Sequence, residues 1–568
     1  MAQGPARHSV NPCPSTAPSR YTSTTTTASV PTRNRWVTAS RCSWAVSTPR
    51  DTGAGGPPPR SDRPGVHRGP APGATPTGLH ATALSARKSP VLTEVDVGTL
   101  EIERLAELLD PPEADRIRQT AARAAELFAG RTIWNVNSTA RGGGVAEMLQ
   151  TLLAYARGTG VDARWLVIDG DPAFFGVTKR IHNRLHGVDG DGGPLDDSER
   201  ADYERTLSRN CDGLLARVAP GDVVLLHDPQ TAGLAPALRD HGAIVIWRCH
   251  VGIDNPNDLA RDAWMFLSPY VDAAEVVVFS REQFAWDVVE PARRRIIAPS
   301  IDALAPKNQD LSVHTVDAIL RAARVRTGGG FGGAPAFRRF DGSQGVVHRA
   351  AVVDEDRPLA PGERYVLQVS RWDTLKDPAG VIDGFARFVA PHDGVHLVYA
   401  GPAVDAVTDD PEGAGVLAAA RAQREGLDPQ VRERVHLAML PMDDLEENAA
   451  IVNALQREAA VVVQKSLAEG FGLTVAEAMW KARPVVASRI GGIADQIADG
   501  TGVLIDDPRD LSSFGDAVRG LLDDPGSAER MGAAARERVR ARFLGTHSLL
   551  EYAQVIEPLL PPREVRPS

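Results

Sequence analysis

Two successive series of short apolar runs, each run separated from the next by a segment of helical periodicity, constrain this chain more than any other feature. Residues 132–137, 163–169, 222–227, 243–249 and 275–280 make up the first series. Residues 365–370, 395–400, 434–438, 460–464, 484–488 and 502–505 make up the second. Short runs rich in Val, Ile and Leu read as strands, and their alternation with helical segments requires parallel pairing through right-handed crossovers. The expectation is α/β: two doubly wound sheets, each with its ligand crevice at the carboxyl ends of its strands, facing one another across a cleft. At 568 residues the chain exceeds a single core, which suits two large domains.

Helical stretches are expected at 97–107 and 112–128 before the first series, and at 510–522, 528–542 and 548–559 after the second. Between the series, residues 300–325 read as an exit loop and a helix. The run Arg326-Thr-Gly-Gly-Gly-Phe-Gly-Gly-Ala-Pro335 then breaks every pattern and reads as a flexible insertion.

Residues 1–90 are a different material, rich in Ser, Thr, Pro, Gly and Arg, with no apolar periodicity. Such a segment has too little to bury to offset the entropy of ordering, so disorder is expected. It holds eleven bases against Asp51 and Asp62, a net +9, whereas the remainder carries 52 bases and 71 acids, a net −19. An acidic body argues against nucleic acid as a partner. The acid-poor, Arg-rich start imitates an organelle transit peptide; the preferred expectation is a mis-assigned start, with translation beginning near Val91. No apolar run is long enough to span a bilayer, and no membrane partner is expected. Cys13, Cys42, Cys211 and Cys249 lie far apart with no C-x-x-C pair, which fits a reducing cytoplasm and neither a disulfide framework nor a metal site.

Chemistry concentrates where runs end in glycine. After the run 460–464, the stretch Lys465-Ser-Leu-Ala-Glu-Gly-Phe-Gly-Leu-Thr-Val-Ala-Glu-Ala-Met-Trp480 makes a strand, a turn at Gly470 and Gly472, and a helix. Such a turn offers backbone N–H groups and a positive helix end to a phosphate. Glu469 on the loop and Glu477 in the helix add carboxylates for hydroxyls, and a nucleotide sugar carries both groups. Gly142, Gly143 and Gly144 follow the first strand and let backbone approach a ligand closely. Leu226-His-Asp-Pro-Gln230 and Trp247-Arg-Cys-His-Val-Gly-Ile-Asp-Asn-Pro256 follow neighbouring strands. Their His227, Asp228, Arg248, His250 and Asp254 are candidates to grip sugar hydroxyls, and Lys179 and Asn183 add polar groups above the same sheet. There is no G-x-S-x-G elbow, no G-x-x-x-x-G-K-[ST] loop and no H-E-x-x-H helix.

The string Glu469-Gly-Phe-Gly-Leu-Thr…Glu477-Ala-Met resembles the E-x7-E signature of retaining GT-B glycosyltransferases. A metal-free member needs cations for the charge that develops on the leaving diphosphate, and Arg371 and Lys376, after the strand 365–370, suit that need. With Thr132-Ile-Trp-Asn-Val136, Trp247-Arg-Cys-His250, Pro299-Ser-Ile-Asp302, Lys307-Asn308 and Asp410-Pro-Glu412, the pattern is similar to the trehalose glycosyltransferring synthases over about residues 95–560. The resemblance implies a GT-B fold of two Rossmann-like domains facing a cleft: an acceptor domain at 91–310 with a returning C-terminal helix at 546–562, a linker at 311–360, and a nucleotide-sugar donor domain at 361–545. It implies reversible, retaining transfer of glucose from a nucleoside diphosphate glucose to free glucose, giving α,α-trehalose with no cofactor and no metal. Arg371, Lys376 and Glu469 would be catalytic. Gly143, Gly144, Gly470, Phe471, Gly472, Leu473, Thr474 and Glu477 would bind the donor, and Glu477 its ribose. His227, Asp228, Arg248, His250 and Asp254 would bind the acceptor. Partners would be these small molecules, with a homodimer left open. The alternatives are a retaining trehalose phosphorylase, a GT-B transferase with another acceptor, and a non-catalytic nucleotide-sugar sensor.

Overall fold

The computed structural model describes residues 92–140, 144–328, 332–392, 394–404 and 412–560. The tail, Gly142 and Gly143 therefore lie outside the described residues. Strands β1 (Leu92–Val95), β2 (Thr132–Asn137), β3 (Asp162–Ile168), β4 (Val223–His227), β5 (Ile244–Cys249), β6 (Val276–Phe279) and β7 (Arg294–Ile296) form one sheet in the order β1-β3-β2-β4-β5-β6-β7. A small hairpin follows, β8 (Ala336–Arg338) and β9 (Gln344–Val346). Strands β10 (Val352–Asp354), β11 (Tyr365–Val369), β12 (His396–Pro402), β13 (Val435–Leu440), β14 (Val461–Gln464), β15 (Val485–Ser488) and β16 (Val503–Ile505) form the second sheet, ordered β10-β13-β12-β11-β14-β15-β16. Within these two seven-stranded sheets every pairing is parallel except the two at the edges, β1 with β3 and β10 with β13.

Burial explains why these runs are strands. β4, β11, β13, β14 and β15 are buried at every residue, as parallel strands covered on both faces must be. Side chains alternate between faces with a period of two. Leu367, Val398, Ala438 and Val462 join one core cluster, while Val366, Leu397, Leu437 and Val461 join the cluster on the opposite face.

The strand order also positions the cleft. In the first sheet the chain runs outward from β2 to β3, then returns to place β4 on the other side. In the second it runs from β11 through β12 to β13 and returns to place β14. These reversals open crevices beyond the ends of β2 and β4, and of β11 and β14, where outgoing loops diverge. The helix Gly545–Ile556 follows the second sheet yet packs on the first: Tyr552 and Ile556 share a cluster with Leu149, Leu153 and Trp165. Among the described residues, no helix is long and apolar enough to cross a membrane.

Three expectations need correction. The stretch 97–107 is helical only over Glu103–Ala106; before it, the Leu100 N–H docks on the Ala154 carbonyl at 3.0 Å, which holds the chain off the helical path. The edge strands β1, β7 and β10 were not anticipated, being short and interrupted by charge at Glu94, at Arg294 and Arg295, and at Asp354. The patternless linker is also structured beyond residue 331. The β8–β9 hairpin buries Phe337 (4% exposed) in the second domain's core, Arg339 pairs with Asp444 at 2.6 Å, and β10 extends the second sheet. Residues 329–331 lie outside the described residues. If the hairpin is integral to that core, Phe337→Ala should cost about 3 kcal/mol, the scale of truncating a buried aromatic. Chemical denaturation followed by tryptophan fluorescence would read this as a lowered midpoint; an unchanged midpoint would show the hairpin to be an appendage.

Candidate functional site

Both crevices open into one cavity of about 350 Å³, lined by residues of both sheets' loops. On the second-domain side, Ser370 and Arg371 follow β11. Trp372 anchors this turn: it is buried, its indole donates to the Pro402 carbonyl at 2.9 Å, and it stacks on Tyr399. Asp373 caps the following turn by accepting from Leu375 N–H at 2.7 Å. Burial would raise its pKa, but Lys179, Arg371 and Lys376 outweigh burial and hold the carboxyl below its usual range. Lys376 reaches across to Glu469, Nζ to Oε2 at 2.7 Å, where Ser466 Oγ also donates at 3.3 Å. The sequence-expected cations and Glu469 thus meet on one wall.

The turn after β14 is fixed by sterics. Gly472 has φ +80°, and a Cβ there would sit 2.8 Å from Ile493 Cγ1. A Cβ on Gly470 would sit 2.7 Å from the His250 carbonyl, so this loop lies directly on the first domain. Phe471 is buried against Phe543, and Thr474 Oγ1 donates to Gln464 Oε1 at 2.9 Å. In the helix Leu473–Trp480, Glu477 is almost fully buried. Its Oε1 lies 3.5 Å from Lys307 Nζ, while Oε2 is buried with no hydrogen-bond partner. Lys307 also pairs with Glu147 at 2.6 Å. Burial opposes its charge, but the two carboxylates prevail and raise its pKa. Behind Glu477, the Lys481 ammonium donates to Asn308 Oδ1, Gln456 Oε1 and the Glu477 carbonyl at 2.9, 2.8 and 3.1 Å. Gly144 opens the helix opposite; a Cβ there would stand 2.8 Å from Leu473 Cδ1.

On the first-domain side, His227, Asp228 and His250 line the cavity. Asp228 adopts φ 63°, and its Oδ1 accepts the His250 N–H at 2.7 Å. Burial pushes its pKa up to about 7. His227 Nδ1 lies 3.0 Å from His250 Nε2, and His227 Nε2 lies 3.0 Å from Asn135 Oδ1. Burial first, then the Arg248 charge, lowers the His227 pKa to about 3 and that of His250 well below its usual value.

Two expected acceptor residues are not on the cavity wall. Arg248 is wholly buried behind His250, and Asp254 is engaged by Arg281 at 2.7 Å. Arg281 also reaches the second domain, donating to the Gly491 carbonyl and pairing with Asp495 at 2.9 Å. The helix Pro172–Leu185 presents the expected Lys179 to the cavity and, with it, three residues the sequence did not single out: Thr178 and His182 on the helix and His186 just after it, at a spacing that puts them on one helix face. Lys179 pairs with Asp373 at 3.4 Å and Glu412 at 3.3 Å. His182 Nδ1 is buried without a partner, and burial then the Lys376 charge lower the His186 pKa to about 4. Asn183 turns off this face toward Gly190. Among the described residues, no group of three or more His, Cys, Asp or Glu side chains could hold a metal ion.

The buried Asp228 carboxyl has a measurable consequence. Its folded pKa, about 7, stands above the usual aspartate value of about 3.9 in an unfolded chain. The neutral form therefore favours folding at low pH, and that contribution is lost as pH rises toward 7. Asp228→Asn should raise the thermal midpoint more at pH 8 than at pH 4. Scanning calorimetry at the two values tests this, and an equal change at both would contradict the assignment.

Comparison with known proteins accords with this geometry. A family model described as "Trehalose synthase, N-terminal domain" matches residues 135–286, and one described as "Glycosyl transferases group 1" matches residues 353–538. The trehalose synthase of Rubrobacter xylanophilus is 36% identical over 444 residues, 77% of this chain and 92% of that protein. That of Pyrococcus horikoshii is 32% identical over 467 residues, 82% of this chain and 98% of that protein. An α,α-trehalose-phosphate synthase (UDP-forming) from Burkholderia vietnamiensis superposes with TM-score 0.54 at 16% identity, covering 76% of this chain and 98% of its own, a likeness of fold. By its two sheets, its cleft and these relatives, the chain belongs to the trehalose synthase family of GT-B glycosyltransferases.

Proposed function

We propose that the protein transfers glucose, with retention, from a nucleoside diphosphate glucose to the anomeric hydroxyl of free glucose, forming α,α-trehalose reversibly. The observation that carries this reading is the Glu477 Oε2, buried in the cavity wall without a partner. A buried carboxylate oxygen left unpaired is costly, and ribose hydroxyls are donors of the right kind to satisfy it. Inorganic phosphate, which a phosphorylase would place in the cleft instead, carries negative charge and would meet that oxygen unfavourably. The named activity of the relatives supports the same product.

In this reading the Gly470–Gly472 backbone and Glu469 hold the donor glucose, and Leu473 and Thr474 at the helix start meet the diphosphate. As the glycosidic C–O bond breaks, its electron pair goes to the leaving diphosphate, whose growing charge Arg371 and Lys376 stabilise. The acceptor oxygen attacks from the same face and gives its proton to the departing phosphate oxygen. Two side chains then do what a divalent cation does elsewhere, and no metal is required. Asp228, with the faces of His227 and His250, forms the acceptor wall.

Purified protein would be incubated with free glucose and, separately, UDP-, ADP- and GDP-glucose, without phosphate or added metal. Trehalose with released nucleoside diphosphate is expected. Trehalose formed only from glucose 1-phosphate would move the assignment to a phosphorylase. Arg371→Ala or Lys376→Ala should lower kcat by about 10²- to 10³-fold with folding preserved, since each acts on transition-state charge. Glu477→Ala should instead raise the donor KM, because ribose is held equally in ground and transition states. Normal turnover in Arg371→Ala would remove the leaving-group assignment.

A further inference from the structure

Arg248 links the cavity histidines to the C-terminal helix. Its Nη1 donates to the Tyr552 hydroxyl at 2.6 Å, its Nη2 to the Ile297 carbonyl at 3.0 Å, and its Nε to His250 Nδ1 at 3.3 Å. A guanidinium only donates, so His250 Nδ1 must accept. A neutral imidazole has one N–H, which therefore sits on His250 Nε2 and points at His227 Nδ1, 3.0 Å away. That contact places the His227 proton on Nε2, where it meets Asn135 Oδ1 at 3.0 Å. The reverse order fails, because a donating Asn135 would leave His250 accepting at both nitrogens, as an imidazolate. Protonating either ring also fails, since it sets two hydrogens face to face. One arrangement survives: both rings neutral, both protonated on Nε2.

We propose that Arg248, braced by Tyr552, is a positioning residue for transfer: it fixes the tautomers and ring planes of His250 and His227 and, through the His250 backbone, the carboxyl of Asp228. With four ring nitrogens committed to the relay, the histidines shape the cavity wall and Asp228 supplies its hydrogen bonds. The charged and titratable groups around the relay are Arg248 and Cys249 on β5, Asp228 after β4, and Glu551 and Tyr552 on the C-terminal helix. The Arg248 charge opposes protonation of both rings, so its removal eases protonation.

The test uses the full chain with 15N-labelled histidine, comparing wild type with Arg248→Met and Tyr552→Phe. Long-range 1H–15N spectra at pH 7, without substrate, should show His227 and His250 protonated on Nε2 in the wild type. In Arg248→Met the His250 signal should shift toward mixed tautomers. The kinetic arm rests on the proposed trehalose reaction: kcat/KM for glucose should fall by about 10- to 100-fold, the scale of a misplaced site. The acid limb of its pH profile should move toward neutrality. Tyr552→Phe, which removes one oxygen from the brace, should move both readouts the same way by less. An unchanged tautomer and acid limb in folded Arg248→Met would reduce Arg248 to a packing role and overturn the proposal. If that variant does not fold, an unchanged acid limb and spectrum in Tyr552→Phe would do so. Should no donor support turnover, the substrate-free spectra still decide the relay separately from the reaction.

Discussion

Three cationic side chains hold the carboxyl edges of two sheets against one another, and the cavity exists because they do. Arg281 crosses to Gly491 and Asp495, Lys179 crosses to Asp373, and Lys307, next to an Asn308 held by Trp480 and Lys481 of the second domain, crosses back to Glu147. Arg281 and Asp373 are nearly withdrawn from water, where a pair gains little net stability but a missing partner costs several kcal/mol. Such bridges act less as glue than as a specification of how the domains meet. An apolar interface of equal area would tolerate sliding, whereas these pairs lose their partners within an ångström or two.

The same bridges leave the cavity wall balanced in charge. Lys376 faces Glu469, Asp373 faces Arg371 and Lys179, and Lys307 is shared by Glu147 and Glu477. Cations so held are already in place before any anion arrives, so little reorganisation is needed when charge develops beside them. The glycine at 470 serves the same end by bringing one domain's backbone against the other's.

How much of this was legible follows from what each residue's position depends on. The interior parallel strands could be read because a run buried on both faces is apolar throughout, as in Val223–His227 and Val461–Gln464. The edge strands β1, β7 and β10 could not, because Leu92–Val95, Arg294–Ile296 and Val352–Asp354 are only partly buried and each carries charge, so none shows an unbroken apolar run. Glu469, Gly472 and Glu477 share one local turn and helix, so spacing alone places them together. Arg248 and Asp254 were misjudged because their sequence neighbours do reach the cavity. Whether a strand-end side chain faces ligand or core is settled by what packs behind it, here Tyr552 and Arg281, hundreds and tens of residues away. The helical face carrying Lys179, His182 and His186 could be drawn from spacing, but not the domain it would confront.

Arg248 and Tyr552 are 304 residues apart in sequence. The first sheet can pair its strands as soon as they are made, since each crossover is local. Its side of the cavity wall cannot be finished then, because the helix that braces it emerges after the whole second domain. Until Tyr552 arrives, the nascent chain carries a folded but incomplete first domain, with Leu149, Leu153 and Trp165 lacking part of their cover. The order of synthesis thus withholds a competent site from every intermediate, and assembly ends with the last helix closing over the first half made.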